Sequence, residues 1–444
     1  MNYIGENLRL AIFGASHAPE LGMTLDGFPA GEAIDAAALA AFLARRAPGQ
    51  RPWSTLRSEP DAAVFRSGLA EGKSDGSPIT AVIANTDARP GDYAAFSAVP
   101  RPGHADYAAW VKTGAIPPGG GAYSGRMSAA LCLAGGICLQ FLQRRGVSLL
   151  SRISELGGVA DEGELSAESR PCAFGTLSEA RGEDMIRAIA AAQAEGDSLG
   201  GVVECAVFSL PAGLGGALFS GLESRISALL YAIPAVKGVE FGAGFAAARL
   251  RGSENNDPFV LRGGRVETAT NRCGGLLGGV TDGMPLVFRA AFKPTPSIAK
   301  TQRSVDLAAM TETELSVPGR HDPCVVPRAL PCVEAAAAIA LCDAMISFES
   351  AGEDLAALRA QIDRIDGDLQ TLFERRMELV DDIAAWKHSR GLPVLSAMRE
   401  AEKLARVDAR ACGSLKAYDA AFFRQLMALS RQRQEELRRG EEEA

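Results

Sequence analysis

Arg320, His321 and Asp322 stand in a row within SVPGRHDPCVV (residues 316–326), between a helix-breaking Pro-Gly pair and a proline. The chain has only four histidines, and imidazole titrates near neutrality, which suits it to proton transfer. Proton transfer and anion binding are both open to this stretch. His17 lies in FGASHAPELGM and His104 in RPGHADYAAW, each framed by glycine and a turn-forming residue, while His388 follows Lys387 late in the chain. A lone histidine in such a loop is more often structural than catalytic; two in similar frames favour chemistry more than one does.

Cations gather in the same half of the sequence. ARRAPGQRPWSTLRSEPD places Arg45, Arg46, Arg51 and Arg57 in one short segment broken by turn residues. GGGAYSGRMSAA sets glycines, Ser124 and Arg126 just ahead of an expected helix, so backbone N–H groups and a guanidinium can meet one anion. TNRCGGLLGGVTDG allows close backbone approach around Gly278, and KPTPSI (293–298) adds a lysine among turn-fixing prolines. Neither the GxGxxG fingerprint nor a P-loop is present. Any one of these is ordinarily a tight loop; several in an acidic protein point to an anionic ligand.

The 444 residues carry a net charge of −8 and a pI near 5.3, which argues against broad nucleic-acid or anionic-membrane binding. The nine cysteines show no CxxC pair and no Cys/His metal spacing, so they read as reduced thiols without a metal, Cys132, Cys138 and Cys342 being packed in apolar runs. With no basic leader and no uninterrupted apolar run of ~20 residues, the expectation is a cytoplasmic protein with no membrane span.

Two bodies must position these residues. Of 48 glycines only Gly367, Gly391, Gly413 and Gly440 lie beyond residue 352, and of 23 prolines only Pro393. The expected layout is a mixed body over 1–348, a linker at 349–354 and a helical domain over 355–444. In the first body, strand-like segments such as GVVECAVFSL and MPLVFRAAF alternate with helical ones such as AIDAAALAAFLARRA.

In the tail, Leu355, Leu358, Ile362, Ile365, Leu369 and Leu372 form one helical seam, and the same rhythm continues through Arg376 to Leu379, Ile383 and Trp386. Arg376 on that stripe is either a snorkelling side chain or, since a buried guanidinium is costly without an anion, part of an anion site. Lys387 returns to nearly the same face ~16 Å along the helix. Arg359 lies ~25 Å before Arg376 on another face, so it reaches a shared ligand only from a second chain, which hints at an intertwined dimer. Later helices carry Arg399-Glu400, and Ser430 one turn from Gln434.

LRAQIDRIDGDLQTLFERRMELVDDIAAWK followed by RGLPVLSAMRE resembles the all-helical class of chorismate mutase over residues 355–437. The resemblance implies a cofactor-free rearrangement of chorismate to prephenate. Arg359, Arg376 and Arg399 would grip carboxylates, Lys387 and Gln434 the ether oxygen, Glu400 the ring hydroxyl, with Ser430 supporting a carboxylate. Ser396 stands where the family often has Asp.

The earlier segments, in order, resemble chorismate synthase over residues 5–346: GASH, RRAPGQ, RPGHADY, GGGAYSGR, IPAVKGVEFGAGF, GSENND, TNRCGGLLGG, KPTPSI and GRHDPCVVPRA. This implies an α+β body with a β-rich core flanked by helices, a homotetramer, and conversion of 5-enolpyruvylshikimate 3-phosphate to chorismate with reduced FMN, NADPH being a possible reductant. The resemblance assigns Asp322 to deprotonation, His104 to protonating the reduced flavin and His17 to the leaving phosphate. It places Arg320, Glu254, Asn255, Gly278, Ser124, Arg126 and the run Lys293, Pro294, Thr295, Pro296 and Ser297 around the cofactor. Arg46 and Arg51 would contact nicotinamide or phosphate, and Arg45, Arg57 and Arg126 the substrate's anionic groups. Ala15, Ala122 and Tyr123 depart from the family pattern. Two other readings stand beside this bifunctional one: the tail as an inactive dimerisation or effector module, and the large body as a flavin or phosphoester binder without turnover.

Overall fold

The computed structural model describes residues 1–49, 51, 53–55, 59–87, 97–317, 319, 321–410 and 413–442, with side chains left out at 352–357, 360, 361 and 440–442. Arg57 and Arg320 therefore lie outside the described residues, as does the side chain of Leu355. The chain divides into two compact units, Met1–Ser350 and Ala351–Ala444.

In the first unit, alternating apolar residues build two five-stranded antiparallel sheets. One runs in the order Asn2–Ile4, Arg9–Gly14, Glu20–Asp26, Ile79–Ala84, Ala63–Ser67. Its central strand turns Leu21, Met23 and Leu25 inward, each fully buried, which is the period-2 signature of a half-covered strand. The other runs Val236–Phe241, Leu286–Phe292, Gly201–Phe208, Ser148–Leu156, Val159–Ala160.

The Ser128–Arg144 helix packs against strands of both sheets. It also meets the start of the Val326–His388 helix almost backbone to backbone: a Cβ added at Gly135 would fall 2.3 Å from Ala335 Cβ. Glycine inside a helix costs about 1 kcal/mol relative to alanine, and that approach is what it permits here. Gly125–Arg144 and Val326–Ala351 are long and apolar enough to cross a membrane, yet they are 89% and 94% buried inside the protein. They are the core of the large unit.

The Ala36–Arg46 helix starts where the Asp35 carboxylate accepts from the N–H groups of Ala37 and Ala38 (2.8 and 3.0 Å). Its last turn delivers Arg45 and Arg46. The chain start is pinned by buried Asp343, which accepts from the backbone of Glu6, Asn7 and Leu8 (2.9, 2.7 and 2.7 Å).

The stretch 349–354, expected as a linker, is helical and belongs to the single helix Val326–His388. One glycine among good helix formers is too weak a breaker to interrupt it. The second unit adds helices Ala397–Arg410 and Lys416–Glu442, giving the expected three-helix arrangement.

Candidate active sites

The large unit encloses a cavity of about 840 Å³. Its wall includes Arg46, Arg101, His104, Ser124, Arg126, Lys293, Thr295, Pro296, Ser297, Asp322 and Arg328. Pro294, between two of these, packs beside Gly200.

A turn of three glycines seats both N-terminal histidines. Gly119, Gly120 and Gly121 all have positive φ (60°, 85° and 53°), which L side chains rarely adopt. A Cβ at Gly119 would lie 2.2 Å from His17 Nε2, and one at Gly120 2.9 Å from His104 Cε1. The glycines thus let one backbone segment lie directly on two imidazoles.

His104 Nδ1 sits 2.5 Å from Asp106 Oδ1. An ionised carboxylate only accepts, so Nδ1 carries the hydrogen, and Nε2, with Arg101 Nη2 at 3.5 Å, is the nitrogen that can exchange a proton. Arg101 grips both oxygens of Asp106, Nε donating to Oδ2 at 2.7 Å and Nη2 to Oδ1 at 2.9 Å, and reaches Ser297 Oγ at 3.0 Å. Burial would raise the Asp106 pKa, but the hydrogen bonds from His104 and Arg101 and their charges hold it well below the usual carboxylate range.

Asp322 is fixed at both oxygens, by Thr55 N–H at 3.0 Å and by Arg328 Nη1 at 2.5 Å. Arg328 also donates to Arg46 O at 3.0 Å. Burial pushes the Arg328 pKa down, partly opposed by Asp322.

Arg46 and Arg126 share buried Asp61: Arg46 Nη1 lies 2.7 Å from Oδ2, and Arg126 Nη1 bonds Oδ1. Arg126 also pairs with Glu59 (3.0 Å) and donates to Asn85 (2.9 Å). Burial opposes the Asp61 charge, but the two guanidiniums outweigh it and lower its pKa. Lys293 donates to Gly103 O at 2.9 Å, and its pKa is lowered by burial and by Lys237, another wall residue.

Other expected residues lie off this wall. Arg45 forms a two-point ion pair with Glu334 (2.6 and 2.7 Å). Arg51 reaches Ala173 O at 3.2 Å and stacks over Trp53. Glu254 accepts from Arg251 N–H at 2.8 Å in the Gly252–Asn255 turn of helix that also holds Asn255. Gly278 sits in the tight turn between Leu276–Leu277 and Val280–Thr281. Asp61, Arg101, Asp106 and Arg328 were passed over in the sequence, although all four lie inside quoted motifs.

In the second unit, Arg376 Nη1 donates to Ser430 Oγ at 2.5 Å, and Ser430 donates to Leu426 O at 2.7 Å. Burial lowers the Arg376 pKa. Gln434 is buried, its Nε2 donating to Ser430 O at 3.2 Å, while its Oε1 has no hydrogen-bond partner among the described residues. Lys387 Nζ donates to Val394 O at 2.6 Å. Lys403, not foreseen from the sequence, has its pKa lowered by burial and then by Arg376 and Arg399, so it is a further cation of this group. Glu400 receives Arg431 Nη1 at both oxygens (2.5 and 2.6 Å). Arg399 pairs with Glu402, and Arg359 is exposed. The structure therefore joins Arg376, Ser430 and Gln434 and leaves Arg359 at the surface of the single chain.

Residues 8–346 match the chorismate synthase family and residues 358–435 match chorismate mutase type II. A chorismate synthase from Archaeoglobus fulgidus is 45% identical over 351 residues, covering 78% of this chain and 97% of the relative. One from Lancefieldella parvula is 41% identical over 367 residues, covering 78% and 96%. A solved crystal structure of chorismate synthase superposes with a TM-score of 0.60 at 27% identity, covering 78% of this chain and 93% of that one. The chain belongs to the chorismate synthase family, and a chorismate mutase type II domain follows within the same polypeptide.

Proposed function

We propose that the chain performs two consecutive reactions of aromatic biosynthesis in the cytoplasm. The large unit eliminates phosphate from 5-enolpyruvylshikimate 3-phosphate to give chorismate, and the helical domain, joined through residues 349–354, rearranges chorismate to prephenate. The observation that carries this reading is the triple-glycine turn that lies on both His17 and His104, with Gly119 and His104 in the wall of an arginine- and lysine-lined cavity.

The cavity fits reduced FMN, whose phosphate is anionic. Arg126 Nη2 and Thr295 Oγ1 are buried wall atoms with no hydrogen-bond partner among the described residues, and Lys293 and Lys237 crowd one another there. Ser124, Arg126, Lys293, Thr295 and Ser297 would hold the cofactor, with NADPH as the reductant. When bound, reduced FMN supplies an electron that helps phosphate leave and recovers it as the ring hydrogen departs.

The chain's own residues hold and move protons. Asp106 fixes the His104 ring so that Nε2 is the exchanging atom. His17, on the other side of the same turn, serves the departing phosphate as a proton donor. Asp322, oriented by Thr55 and Arg328, draws the ring proton. In the helical domain Lys387 and Gln434 stabilise the negative charge that develops on the ether oxygen, while Arg376 and Arg399 grip the carboxylates and Glu400 the ring hydroxyl, holding the substrate in its compact conformer.

Oligomerisation belongs to the same proposal. Leu358, Ile362, Ile365, Leu369, Leu372, Leu379, Ile383 and Trp386 are 46–62% exposed, a long apolar face that a second helical domain would cover, bringing its own Arg359. Exposed Leu218, Phe219, Phe245 and Leu261 support tetramer contacts for the large unit.

The test is anaerobic incubation of the full chain with 5-enolpyruvylshikimate 3-phosphate and chemically reduced FMN. Released phosphate accompanied by prephenate is the expected result. Phosphate with persistent chorismate would remove the mutase assignment; no phosphate release would remove the synthase assignment, and chorismate added directly then tests the mutase on its own.

A further inference from the structure

Cys132 and Cys332 face each other across the two central helices of the large unit. Cys132 Sγ donates toward Cys332 Sγ at 3.7 Å. Cys132 is fully buried, whereas Cys332, 3% exposed, forms part of the cavity wall. Neither thiol has a role in the chemistry above.

Their surroundings differ. The Cys332 pKa is lowered to about 7, chiefly by the S–H donated from Cys132 and then by Arg46, Ser128 and Arg328, against burial. Burial raises that of Cys132. Thiolate is the nucleophilic form of cysteine, so the two sulfurs divide into an attacking one that faces the cavity and a neutral partner behind it. As a thiol, Cys332 also lies 3.5 Å from Arg328 O, the residue that orients Asp322.

A disulfide is within reach of this arrangement. The bond needs sulfurs about 2.05 Å apart, against 3.7 Å here. Three residues further along each helix, Gly135 and Ala335 hold the backbones in contact. Closure therefore needs side-chain rotation and a small shift at the Cys332 end, not an approach of whole helices.

We propose that Cys132 and Cys332 form an oxidisable dithiol site, reached through the cavity by small hydroperoxides. The Cys332 thiolate attacks a peroxide oxygen, the O–O bond breaks, and hydroxide or an alkoxide leaves, giving Cys332 sulfenic acid. Cys132 then attacks that sulfur; the S–S bond forms and the hydroxyl departs with the Cys132 proton as water. Two electrons pass from the thiols to the peroxide, and an external dithiol returns them.

The test uses the full reduced chain, treated with one equivalent of hydrogen peroxide, quenched, alkylated under denaturing conditions and mapped by peptide mass. The Cys132–Cys332 cross-link is expected to form at least tenfold faster than any oxidation of Cys172 or Cys273, although those two are more exposed. In Cys132→Ala, Cys332 stops at sulfenic acid and is captured by dimedone; in Cys332→Ala, Cys132 stays reduced. In urea the preference disappears. Because the parent chain alone supplies the cross-link measurement, a poorly folding variant does not rescue the idea. First oxidation at Cys172 or Cys273, with Cys132 and Cys332 still alkylated, overturns it.

Discussion

Asp61→Asn removes one charge from directly behind the cavity wall, where Arg46 and Arg126 meet, while keeping the side chain's size. Asp61 side-chain exposure is 0% and that of Arg46 and Arg126 is 3% each. Glu59 remains beside Arg126, so the variant leaves two buried guanidiniums sharing one carboxylate. Breaking a buried pair by removing one partner costs about 3–5 kcal/mol. At the lower end of the usual conversion, ~2 °C per kcal/mol for large domains, melting of the large unit should fall by about 6–10 °C at pH 7.

The pH dependence has a definite sign. The folded Asp61 pKa lies below its unfolded value, so its contribution is fully present above the ordinary carboxylate range and is lost as pH falls through the folded pKa. The gap between parent and variant should be widest near neutrality and shrink in acid. Inorganic phosphate entering from the cavity should recover part of the loss by binding beside the under-compensated guanidiniums, raising the variant's melting temperature more than the parent's. Calorimetry at two pH values, with and without phosphate, reads all of this. A variant that melts within about 2 °C of the parent at pH 7 would refute the claim that Asp61 is what allows the two arginines to be buried together.

Gly119→Ala and Gly120→Ala each force a Cβ into an imidazole and strain a left-handed residue by about 1–2 kcal/mol. Elimination turnover, followed as phosphate release, should drop at least ~10-fold, while chorismate added directly to the same preparation is rearranged at the parental rate. Equal loss of both activities would mean general misfolding instead. Arg376→Leu should leave the melting of the helical domain unchanged or raised, because burial without a carboxylate partner is unfavourable for a guanidinium. Prephenate formation by that variant should fall by ~100-fold or more; retained turnover would mean that Arg376 is only a snorkelling side chain.

What the sequence made readable and what it did not follow from distance along the chain. The seam from Leu358 to Trp386 is legible because its period is local, and so are the strands whose alternation is local. His17, His104 and Arg126 were found because each sits beside glycines whose purpose is backbone approach. Their carboxylate partners were not. Asp61 is 65 residues from Arg126, and Glu334 is 289 from Arg45, so no spacing rule connects them. Asp106 and Arg101 are near neighbours of His104, but nothing in a two- or three-residue spacing around a Pro-Gly turn says that the side chains converge, so the carboxylate that fixes the tautomer is visible only in the folded turn. The linker reading of 349–354 gave Gly352 more weight than a single glycine has against helix formers on both sides.

The two units treat buried cations in opposite ways, and that difference has consequences for binding. Around the large cavity Arg46, Arg126, Arg101 and Arg328 each already meet a carboxylate. Arg101 and Arg328 act mainly by orienting Asp106 and Asp322, and Arg126 lends the Nη2 donor that has no partner among the described residues. Lys293 and Lys237, which pair with no carboxylate among the described residues, therefore carry the charge open to a ligand. In the helical domain Arg376 meets only a hydroxyl among the described residues, and Lys403 stands near it without relieving it. An anionic ligand there supplies the missing countercharge directly. Binding of a dicarboxylate to the helical domain should therefore weaken more steeply with salt than binding of a phosphate ester in the large cavity, because half-exposed unpaired cations are screened while buried ion pairs are not. Parallel titrations of both ligands at two ionic strengths measure this. Equal slopes would mean that the arginines of the large cavity release their carboxylates on binding and act as direct anion ligands after all.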